Sequence, residues 1–503
     1  MKTTISDRIK VKDIKEWGND IITISAHTGS GKSYFVKNAL YDFAKANNKK
    51  ILFLIHRTNC IDQFQMEINK DMKTDTIDIK SYQSLEAQKY KKKLSFDFSP
   101  YQYIVCDEFH YFMADASFNK LTDISLDLIL AQTNKTIILM SATGDDMKRY
   151  INNITKRKTI DYELPITFEF IEKLRFFNKD ETMETYIEDA IRTNQKCIFF
   201  IQSASKAYEL YEKHKKHCLF NCGKSDKHYT HVKEAKIQAM LKNEKFEELI
   251  LITTTCLDAG VNIIDADLKN IVIDVQDIGV LRQCIGRKRI HSDFDKIHLY
   301  IKNISNKKLG GKITQLHKRI AMAEYLEKTD TQQYIEKYGR EIDKAYITYD
   351  AVEPDEACQY IKKVNKPMLY KTKFDLFNIS IMLKKYKTYG YCKFLTELFG
   401  FYDESNNTFH FEIEEEKYKQ DDLNNYLNSL VGVEMLQVID RKEIIEKINV
   451  KSNGRLLKKL DNLNGALEEQ NIPYRIVEFS TSRMIDGKQK RYPNAWKVIE
   501  LVK

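Results

Sequence analysis

The residues with the clearest chemistry run from Ala26 to Ser33 and read Ala-His-Thr-Gly-Ser-Gly-Lys-Ser. A segment of this spacing that ends in Gly-Lys-Ser is typical of a loop that binds a phosphate chain, although Ala26 stands where glycine is usual. Gly29 and Gly31 allow the tight turn that points backbone N–H groups into one concavity. We expect a nucleotide to be held by Thr28, Gly29, Ser30, Gly31, Lys32 and Ser33, with Lys32 on the β- and γ-phosphates and Ser33 on Mg2+.

Two acidic residues, Asp107 and Glu108, follow directly after the apolar segment 101–106. In a protein with a phosphate-binding loop, an aspartate in this position is placed to hold Mg2+. The neighbouring Glu108 can then orient or deprotonate an attacking water molecule. A solvated turn would also explain an acidic pair, but the loop upstream favours the catalytic interpretation.

Five apolar segments in the first third of the chain predict the strands that position these residues. Each is followed by polar or charged residues, and the segments alternate with helical patterns, which predicts a parallel sheet covered by helices on both faces. Ligands of such sheets bind at the carboxyl ends of the strands, so the polar residues are expected to meet in one site. The predicted strands are 20–24, 50–55, 76–80, 101–106 and 135–140.

A second set of apolar segments predicts a second sheet of the same kind. Its predicted strands are 196–201, 248–253 and 270–275. They are followed by residues 202–206, by the segment from Thr254 to Ile263, and by Leu281-Arg282-Gln283-Cys284-Ile285-Gly286-Arg287-Lys288-Arg289. The predicted fold class is therefore α/β.

Together these motifs resemble those of superfamily 2 helicases with a DExH box, over roughly residues 20 to 292. Residues 107–110, Asp-Glu-Phe-His, resemble the box itself, and residues 26–33 and 141–143 resemble the first and third motifs. Residues 255–262 are similar to the fifth motif with Asn262 in place of aspartate, and residues 283–289 are similar to the sixth. The last arginine of the sixth motif would fall at Ile290, and the Gly-Arg-x-Arg form resembles helicases of large DNA viruses, which suggests a phage or mobile element.

The resemblance implies two tandem RecA-like parallel-sheet lobes, 1–155 and 156–305, with ATP and Mg2+ bound between them. The implied catalytic residues are Lys32, Asp107, Glu108, Gln283, Arg287 and Arg289, and it stays open which arginine reaches the γ-phosphate. Gly260 and Asn262 would complete the nucleotide site, and Ser33 and Asp107 the metal site. The residues that would couple nucleotide state to lobe closure are His110, Ser141 and Thr143. Those that would hold a nucleic-acid backbone are Arg57, Gln83, Ser203 and Thr255.

The implied function is an ATP-dependent DNA helicase or translocase in replication, recombination or repair, working on single-stranded or duplex DNA with other replication or repair proteins. Two alternatives stay open: an RNA helicase or remodeller, and an origin- or structure-binding initiator with a motor core. Related enzymes read adenine with an upstream glutamine, whereas the first glutamine here is Gln63. We therefore expect other NTPs to be accepted beside ATP.

The composition is compatible with a helicase but is not specific to one. The net charge is +9, which is compatible with a polyanionic partner. No segment approaches the roughly 20 apolar residues of a membrane span, and the N-terminus lacks the apolar core of a signal peptide. Nine scattered cysteines suit a reducing compartment. We expect a cytoplasmic protein, in the host cytoplasm if the origin is a phage.

Beyond residue 300 the patterns indicate accessory structure. Residues 306–312 hold Gly310 and Gly311 between lysines and predict a linker. A mostly helical region is expected over 313–400 and an α+β module over 401–503. In that module the predicted helices are 440–448 and 454–470, and the predicted strands are 473–479 and 495–501. Between the strands lies an Asp-Gly turn beside basic residues. A winged helix and a helix-plus-hairpin packing module explain this pattern equally well.

Overall fold

The computed structural model describes residues 4–27, 29–56, 58–92, 96–114, 119–165, 167–257, 262–290, 292, 294–340, 347–352, 360–452, 455–470 and 472–501. The chain divides into two units. The first comprises Met1–Arg175 and Lys179–Phe411, and the second comprises Phe176–Asn178 and Glu412–Lys503. Among the predicted site residues, Thr28, Arg57 and Gly260 lie outside the described residues.

The first sheet has the strand order β3-β2-β4-β5-β1-β6, and neighbouring strands are parallel. Its strands are β1 Ile21–Ser25, β2 Lys50–Ile55, β3 Ile77–Ser81, β4 Tyr101–Asp107, β5 Thr136–Ser141 and β6 Thr159–Glu163. Apolar side chains of β1, β4 and β5 are buried on both faces because helices cover both sides of the sheet.

The helices of this lobe connect the strands in sequence. They are α1 Ile5–Arg8, α2 Val11–Glu16, α3 Lys32–Phe35, α4 Tyr41–Ala46, α5 Thr58–Lys70, α6 Tyr82–Lys92, α7 Tyr111–Ala114, α8 Thr122–Leu130 and α9 Asp145–Ile154. A π-helical turn, Val36–Leu40, joins α3 to α4. The predicted helix after the phosphate loop is thus present, but it changes its hydrogen-bonding pattern within two turns, and such turns are frequent at functional sites.

The second sheet of the first unit has the order β7-β12-β11-β8-β10-β9, with parallel pairs from β12 to β9. Its strands are β7 Ile171–Phe177, β8 Lys196–Ile201, β9 Cys218–Asn221, β10 Ile250–Thr253, β11 Leu268–Asp274 and β12 Ile297–Lys302. Its helices are α10 Glu181–Thr193, α11 Ala204–His214, α12 Glu234–Asn243 and α13 Ile278–Gly286. The predicted pair of RecA-like parallel sheets is confirmed.

The accessory region that follows is helical but also contains strands. Its helices are α14 Asn306–Lys328, α15 Thr331–Tyr338, α16 Lys366–Lys385 and α17 Gly390–Leu398, and its strands are β13 Thr348–Val352, β14 Tyr360–Val364, β15 Tyr402–Asp403 and β16 Thr408–Phe409. None of the helices that the structure describes is long and apolar enough to cross a membrane.

The linker predicted over 306–312 is wrong, because these residues form the first two turns of α14. The Ser305 side chain caps the helix by accepting a hydrogen bond from the Lys308 N–H, and Leu309 is buried. Each glycine in a helix costs about 1 kcal/mol relative to alanine. Packing of α14 against α16 outweighs that cost at Gly310 and Gly311.

The second unit is an α+β module with its own apolar core, which includes Leu427, Ile444, Leu463 and Trp496. Its strands are β17 Glu412–Ile413, β18 Glu434–Met435, β19 Lys451–Ser452, β20 Arg455–Leu456, β21 Tyr474–Ile485 and β22 Lys488–Glu500. Its helices are α18 Glu414–Ser429, α19 Lys442–Ile448 and α20 Leu460–Glu469. Strands β18, β22 and β21 form an antiparallel sheet in that order, and β19 pairs with β20. The choice between a winged helix and a helix-plus-hairpin packing module stays a prediction.

Candidate functional site

The phosphate loop has the backbone shape that its glycines predict. Gly29 and Gly31 adopt φ values of 84° and 83°, in the left-handed region that favours glycine. The loop starts from a fixed point because the Ala26 N–H donates to the Ser141 carbonyl of the neighbouring strand, 3.1 Å away. Gly31 then precedes the first residue of α3, so that the N-terminal end of this helix faces the loop.

Two polar side chains of the loop are buried in a way that suits a phosphate. The Lys32 ammonium donates to the carbonyls of Ala26 at 2.9 Å and His27 at 3.3 Å. Its burial lowers its pKa, although Glu108 and Asp107 counteract this effect. Ser30 is also buried, and its hydroxyl has no hydrogen-bond partner among the described residues. A bound phosphate would give the Ser30 hydroxyl a partner and the Lys32 ammonium an opposite charge, so the loop fits the nucleotide that the sequence predicts.

The acidic pair lies at the carboxyl end of β4, beside the phosphate loop. Glu108 adopts a φ of 48°, which is uncommon for a residue with a side chain and sets the direction of its carboxylate. Its Oε2 atom lies 3.3 Å from both the Ser141 hydroxyl and His110 Nδ1. Burial opposes ionisation of Glu108, but the hydrogen bond with His110 and the positive charges of Lys32 and Arg287 outweigh burial and hold the pKa of Glu108 below its usual range.

Asp107 differs from its neighbour in the direction of its pKa shift. Burial and the Glu108 carboxylate raise the pKa of Asp107 to about 7, against the attraction of Lys32. A half-buried carboxylate of this kind fits a divalent cation, and Ser33, in the first turn of α3, would add a hydroxyl ligand. Mg2+ held there would supply positive charge that neutralises the phosphates. Asp107 and Ser33 are the residues that would hold it.

The two lobes touch directly at the residues predicted to couple them. Gln283 of α13 donates from Nε2 to His110 Nε2 at 2.6 Å and to the Thr143 hydroxyl at 3.0 Å. This arrangement requires the His110 proton on Nδ1, which lies 2.7 Å from the Ser141 hydroxyl. A continuous set of contacts therefore runs from the second lobe through His110 to Glu108.

Arg287 and Arg289 both point toward the first lobe but reach different places. A Cβ atom built on Gly29 would lie 3.3 Å from Arg289 Nη1, so the Arg289 guanidinium rests against the phosphate loop. Asn262 accepts a hydrogen bond from Arg289 and donates to Glu244 at 2.9 Å, so it orients this arginine. Burial and the adjacent Arg287 lower the pKa of Arg289 to about 10. Arg287 is buried, and its Nε donates to the Gln283 carbonyl at 3.1 Å.

Three of the residues predicted to hold nucleic acid follow strands of the two parallel sheets. Gln83 follows β3 and donates to the His56 carbonyl at the end of β2, 3.0 Å away. Ser203 follows β8 and caps α11 by accepting from the Lys206 N–H. Thr255 follows β10 in a short 3-10 turn. All three stand at the carboxyl ends of strands, one on the first lobe and two on the second.

Sequence reasoning missed the contribution of the accessory region. The Lys371 ammonium of α16 lies 2.7 Å from the Asp277 carboxylate and 2.8 Å from that of Asp375. Asp277 caps α13, the helix that carries Gln283, by accepting from the Val280 N–H. The spacing of Asp277 before an apolar helix is a capping signal, but no local pattern connects Lys371 to it. A cavity of about 710 Å3 adjoins this contact, between both lobes and the accessory helices.

One family model matches the sequence of the first lobe. The family model described as the res subunit of type III restriction enzymes matches residues 4–75 and 65–146. These segments contain the phosphate loop and the acidic pair. The curated proteins contain no match to this chain.

Several solved helicase structures are similar to part of this chain. S. cerevisiae Dbp5 bound to RNA and ADP BeF3 is 15% identical, with 57% of this chain and 79% of that chain covered and a TM-score of 0.41. Escherichia coli DEAH/RHA helicase HrpB is 12% identical, with 58% and 42% covered and a TM-score of 0.40. The DUF1998 helicase MrfA bound to DNA and AMPPNP is 15% identical, with 58% and 47% covered and a TM-score of 0.42.

The family match over residues 4–146 and the two RecA-like sheets support a nucleic-acid-dependent ATPase.

Proposed function

We propose that this protein is an ATP-dependent DNA helicase or translocase that acts in replication, recombination or repair. The observation that carries the proposal is the position of Arg289 of the second lobe against Gly29 of the phosphate loop. A guanidinium in this place stabilises the charge that develops on the transferred phosphate. Hydrolysis would therefore depend on how closely the two lobes approach each other.

Each residue of the site has a role in this proposal. Lys32 binds the phosphates, and Asp107 and Ser33 hold Mg2+. Glu108 orients the attacking water and takes its proton; its lowered pKa keeps the carboxylate ionised, and its φ value fixes its direction. Arg289 stabilises the transition state. Water attacks the γ-phosphorus, the bond to the β-phosphate oxygen breaks, and ADP and inorganic phosphate result.

Coupling to nucleic acid rests on contacts from both lobes. Gln83 on the first lobe and Ser203 and Thr255 on the second would hold the strand by its backbone, and Arg57 would join them. Contacts to phosphates and sugars carry no sequence information, so we expect sequence-independent, salt-sensitive binding. When the lobes move, the two sets of contacts change their separation, and Gln283 transmits that movement to His110.

Steady-state ATP hydrolysis tests this proposal. Turnover is measured without polymer and with single-stranded DNA, duplex DNA or single-stranded RNA, and Lys32→Ala serves as the blank. Stimulation by DNA supports the proposal, whereas stimulation by RNA alone favours an RNA helicase or remodeller. Wild-type turnover equal to that of Lys32→Ala under all conditions contradicts it.

We also predict weak discrimination between nucleotide bases. Helix α1 lies beside the phosphate loop, and the Ile5 N–H donates to the Ser30 carbonyl at 2.9 Å. Thr4 and Asp7 hydrogen bond to each other in a capping box, so their polar atoms are engaged within the helix. We expect kcat/KM values for ATP, GTP, CTP and UTP within about tenfold of one another. A preference for ATP above a hundredfold in the same turnover assay contradicts this prediction.

A further inference from the structure

The hairpin of the second unit extends beyond the core that supports it. Strands β21 and β22 pair from Tyr474 with Glu500 out to Ile485 with Lys488, and Asp486 and Gly487 form the turn with φ values of 50° and 75°. Tyr492 is buried, but residues 482–491 are exposed on both faces of the ribbon. We call residues 482–491 the distal hairpin. Because it contributes little to the core, its composition is free to serve binding.

The distal hairpin is strongly basic. It carries Arg483, Lys488, Lys490 and Arg491 against a single acid, Asp486. The strand register places Arg483 directly opposite Lys490, and like charges in such a pair destabilise a ribbon. Glu434 of β18 pairs with Arg483 and offsets part of this repulsion. A polyanionic partner would remove the rest.

The neighbouring helix α20 has the opposite charge. Its exposed residues include Asp461, Glu468 and Glu469, and the helix contains no lysine or arginine. Phosphates would be repelled from this face. Lys458 and Lys459 precede the helix and are exposed, so they provide an internal comparison for the hairpin.

The tip of the hairpin combines this charge with apolar surface. The Met484 side chain is 69% exposed and that of Ile485 is 44% exposed, next to Lys488. A two-stranded ribbon fits the major groove of a duplex, basic side chains hold the phosphates on either side, and apolar side chains can press between base steps. We propose that the distal hairpin, and not helix α20, binds duplex nucleic acid, with Met484 and Ile485 against the bases.

This proposal rests on the proposed nucleic-acid function but is tested by binding alone. The full chain, without nucleotide, is titrated with a blunt fluorescent DNA duplex at several salt concentrations. We expect Lys488→Gln combined with Lys490→Gln to weaken binding by about tenfold and to reduce the salt slope by about 2. The matched variant, Lys458→Gln combined with Lys459→Gln, removes the same charge and should bind like the wild type. Equal losses in both variants, or a loss only in the second, overturn the proposal.

The tip is tested separately with a duplex that contains 2-aminopurine, a base that fluoresces more strongly when it is unstacked. We expect wild-type protein to raise the fluorescence and Met484→Ser combined with Ile485→Ser to lose most of that rise while keeping the wild-type salt slope. An unchanged fluorescence rise in this variant shows that the tip does not touch the bases and contradicts that part of the proposal.

Failure of the hairpin and failure of the motor give different results. If the wild type shows stimulated ATPase but the lysine variants bind duplex equally well, the hairpin proposal fails and the helicase proposal stands. If the wild type binds duplex through the hairpin but shows no ATPase above that of Lys32→Ala, the helicase proposal fails and the hairpin proposal stands.

Discussion

Arg287 and Arg289 differ in what their guanidinium groups touch. Arg289 rests against Gly29, whereas Arg287 donates to the Gln283 carbonyl within its own segment. We predict that Arg289→Gln lowers kcat for nucleic-acid-stimulated hydrolysis by about 10³. Arg287→Gln is expected to cause a smaller loss, because the Arg287 guanidinium donates to the Gln283 carbonyl of its own segment. Steady-state kinetics of both variants show which arginine reaches the γ-phosphate. A larger loss of kcat in Arg287→Gln would assign that role to Arg287.

Asp123 of α8 provides a pH-dependent contribution to stability. Burial raises its pKa to about 7, although it accepts a hydrogen bond from the Tyr349 hydroxyl at 2.8 Å. Since the folded pKa lies above the unfolded value of about 3.9, folding favours the protonated form. The associated stability is fully present below pH 4 and is lost as the pH rises through 7.

We therefore predict that the free energy of unfolding of Asp123→Asn, relative to that of the wild type, rises by more than about 1 kcal/mol from pH 5 to pH 8. The amide mimics the protonated acid and can still accept from Tyr349. Urea denaturation at each pH measures the difference. A difference that stays constant across this range contradicts the prediction.

Single residues were predictable where chemistry fixes both their type and their spacing. Lys32, Ser33 and Asp107 follow from a loop and a strand end whose local patterns are specific. The division of roles between Arg287 and Arg289 was not predictable, because it depends on contacts with Gly29 and Asn262 that are far away in sequence. The assignment of Lys32, Ser33, Asp107, Arg287 and Arg289 as site residues stays a prediction until variants are measured.

At the scale of elements, α16 connects parts of the first unit that the sequence keeps far apart. Asn365, which caps α16, donates to the Lys120 carbonyl and the Thr122 hydroxyl of the first lobe, both at 3.0 Å. Lys371, six residues further on, reaches Asp277 of the second lobe at 2.7 Å. The helix thus holds the start of α13 in a fixed place relative to the first lobe.

Lys371 is accordingly predicted to be a positioning residue for α13. Burial disfavours its charge, but Asp277 and Asp375 outweigh burial and raise its pKa. We expect Lys371→Met to lower kcat for stimulated hydrolysis about tenfold with little change in KM, because two carboxylates lose their shared cation and α13 shifts. Steady-state kinetics of the purified variant measure kcat and KM, and thermal melts measure the stability that is lost with the shared cation.

The matched control for this prediction is Lys373→Met on the same helix. Lys373 pairs with Glu324 at 2.6 Å, but both side chains are largely exposed. Such exposed ion pairs contribute less than about 1 kcal/mol to the free energy of unfolding. Lys371→Arg should restore much of the lost kcat because it keeps the charge. Equal behaviour of the two methionine variants would show that Lys371 has no special role.

Elements were predictable where one apolar pattern dominates. The strands 50–55 and 196–201 have the predicted bounds because continuous apolar segments belong to buried parallel strands. The start of α14 was predicted as a linker because glycine was given more weight than the packing of Leu309. The β13–β14 pair was missed because its residues, such as Lys362, are as polar as those of the helices around it.

At the scale of the whole molecule, the two units should respond differently to truncation. The second unit has its own core, and α14 and α16 belong to the core of the first. We predict that a chain ending at Phe411 keeps a cooperative melt and measurable ATPase. A chain ending at Lys312 should aggregate or melt below 25 °C, because it exposes the faces of α7, α8 and α9 that α16 covers.

Circular dichroism melts and ATP turnover of both truncations test this contrast. A soluble, active chain ending at Lys312 would show that the accessory helices are dispensable.

The sequence predicted the two RecA-like sheets, but it did not predict that the accessory helices are integral to them. The preference for DNA or RNA was not predictable either, since residues that hold a backbone carry no base information. The division into four predicted domains stays a prediction.

The order of strands in the first sheet has a consequence for synthesis of the chain. Strand β1, which is made first, pairs Ile21 with Ile137 of β5 and with Thr159 of β6, the last strands of its lobe to be made. Contacts between distant segments form slowly because a long loop must close first. The phosphate loop therefore leaves the ribosome long before the strands that hold it. During translation of this lobe, the nucleotide site is among the last features to form.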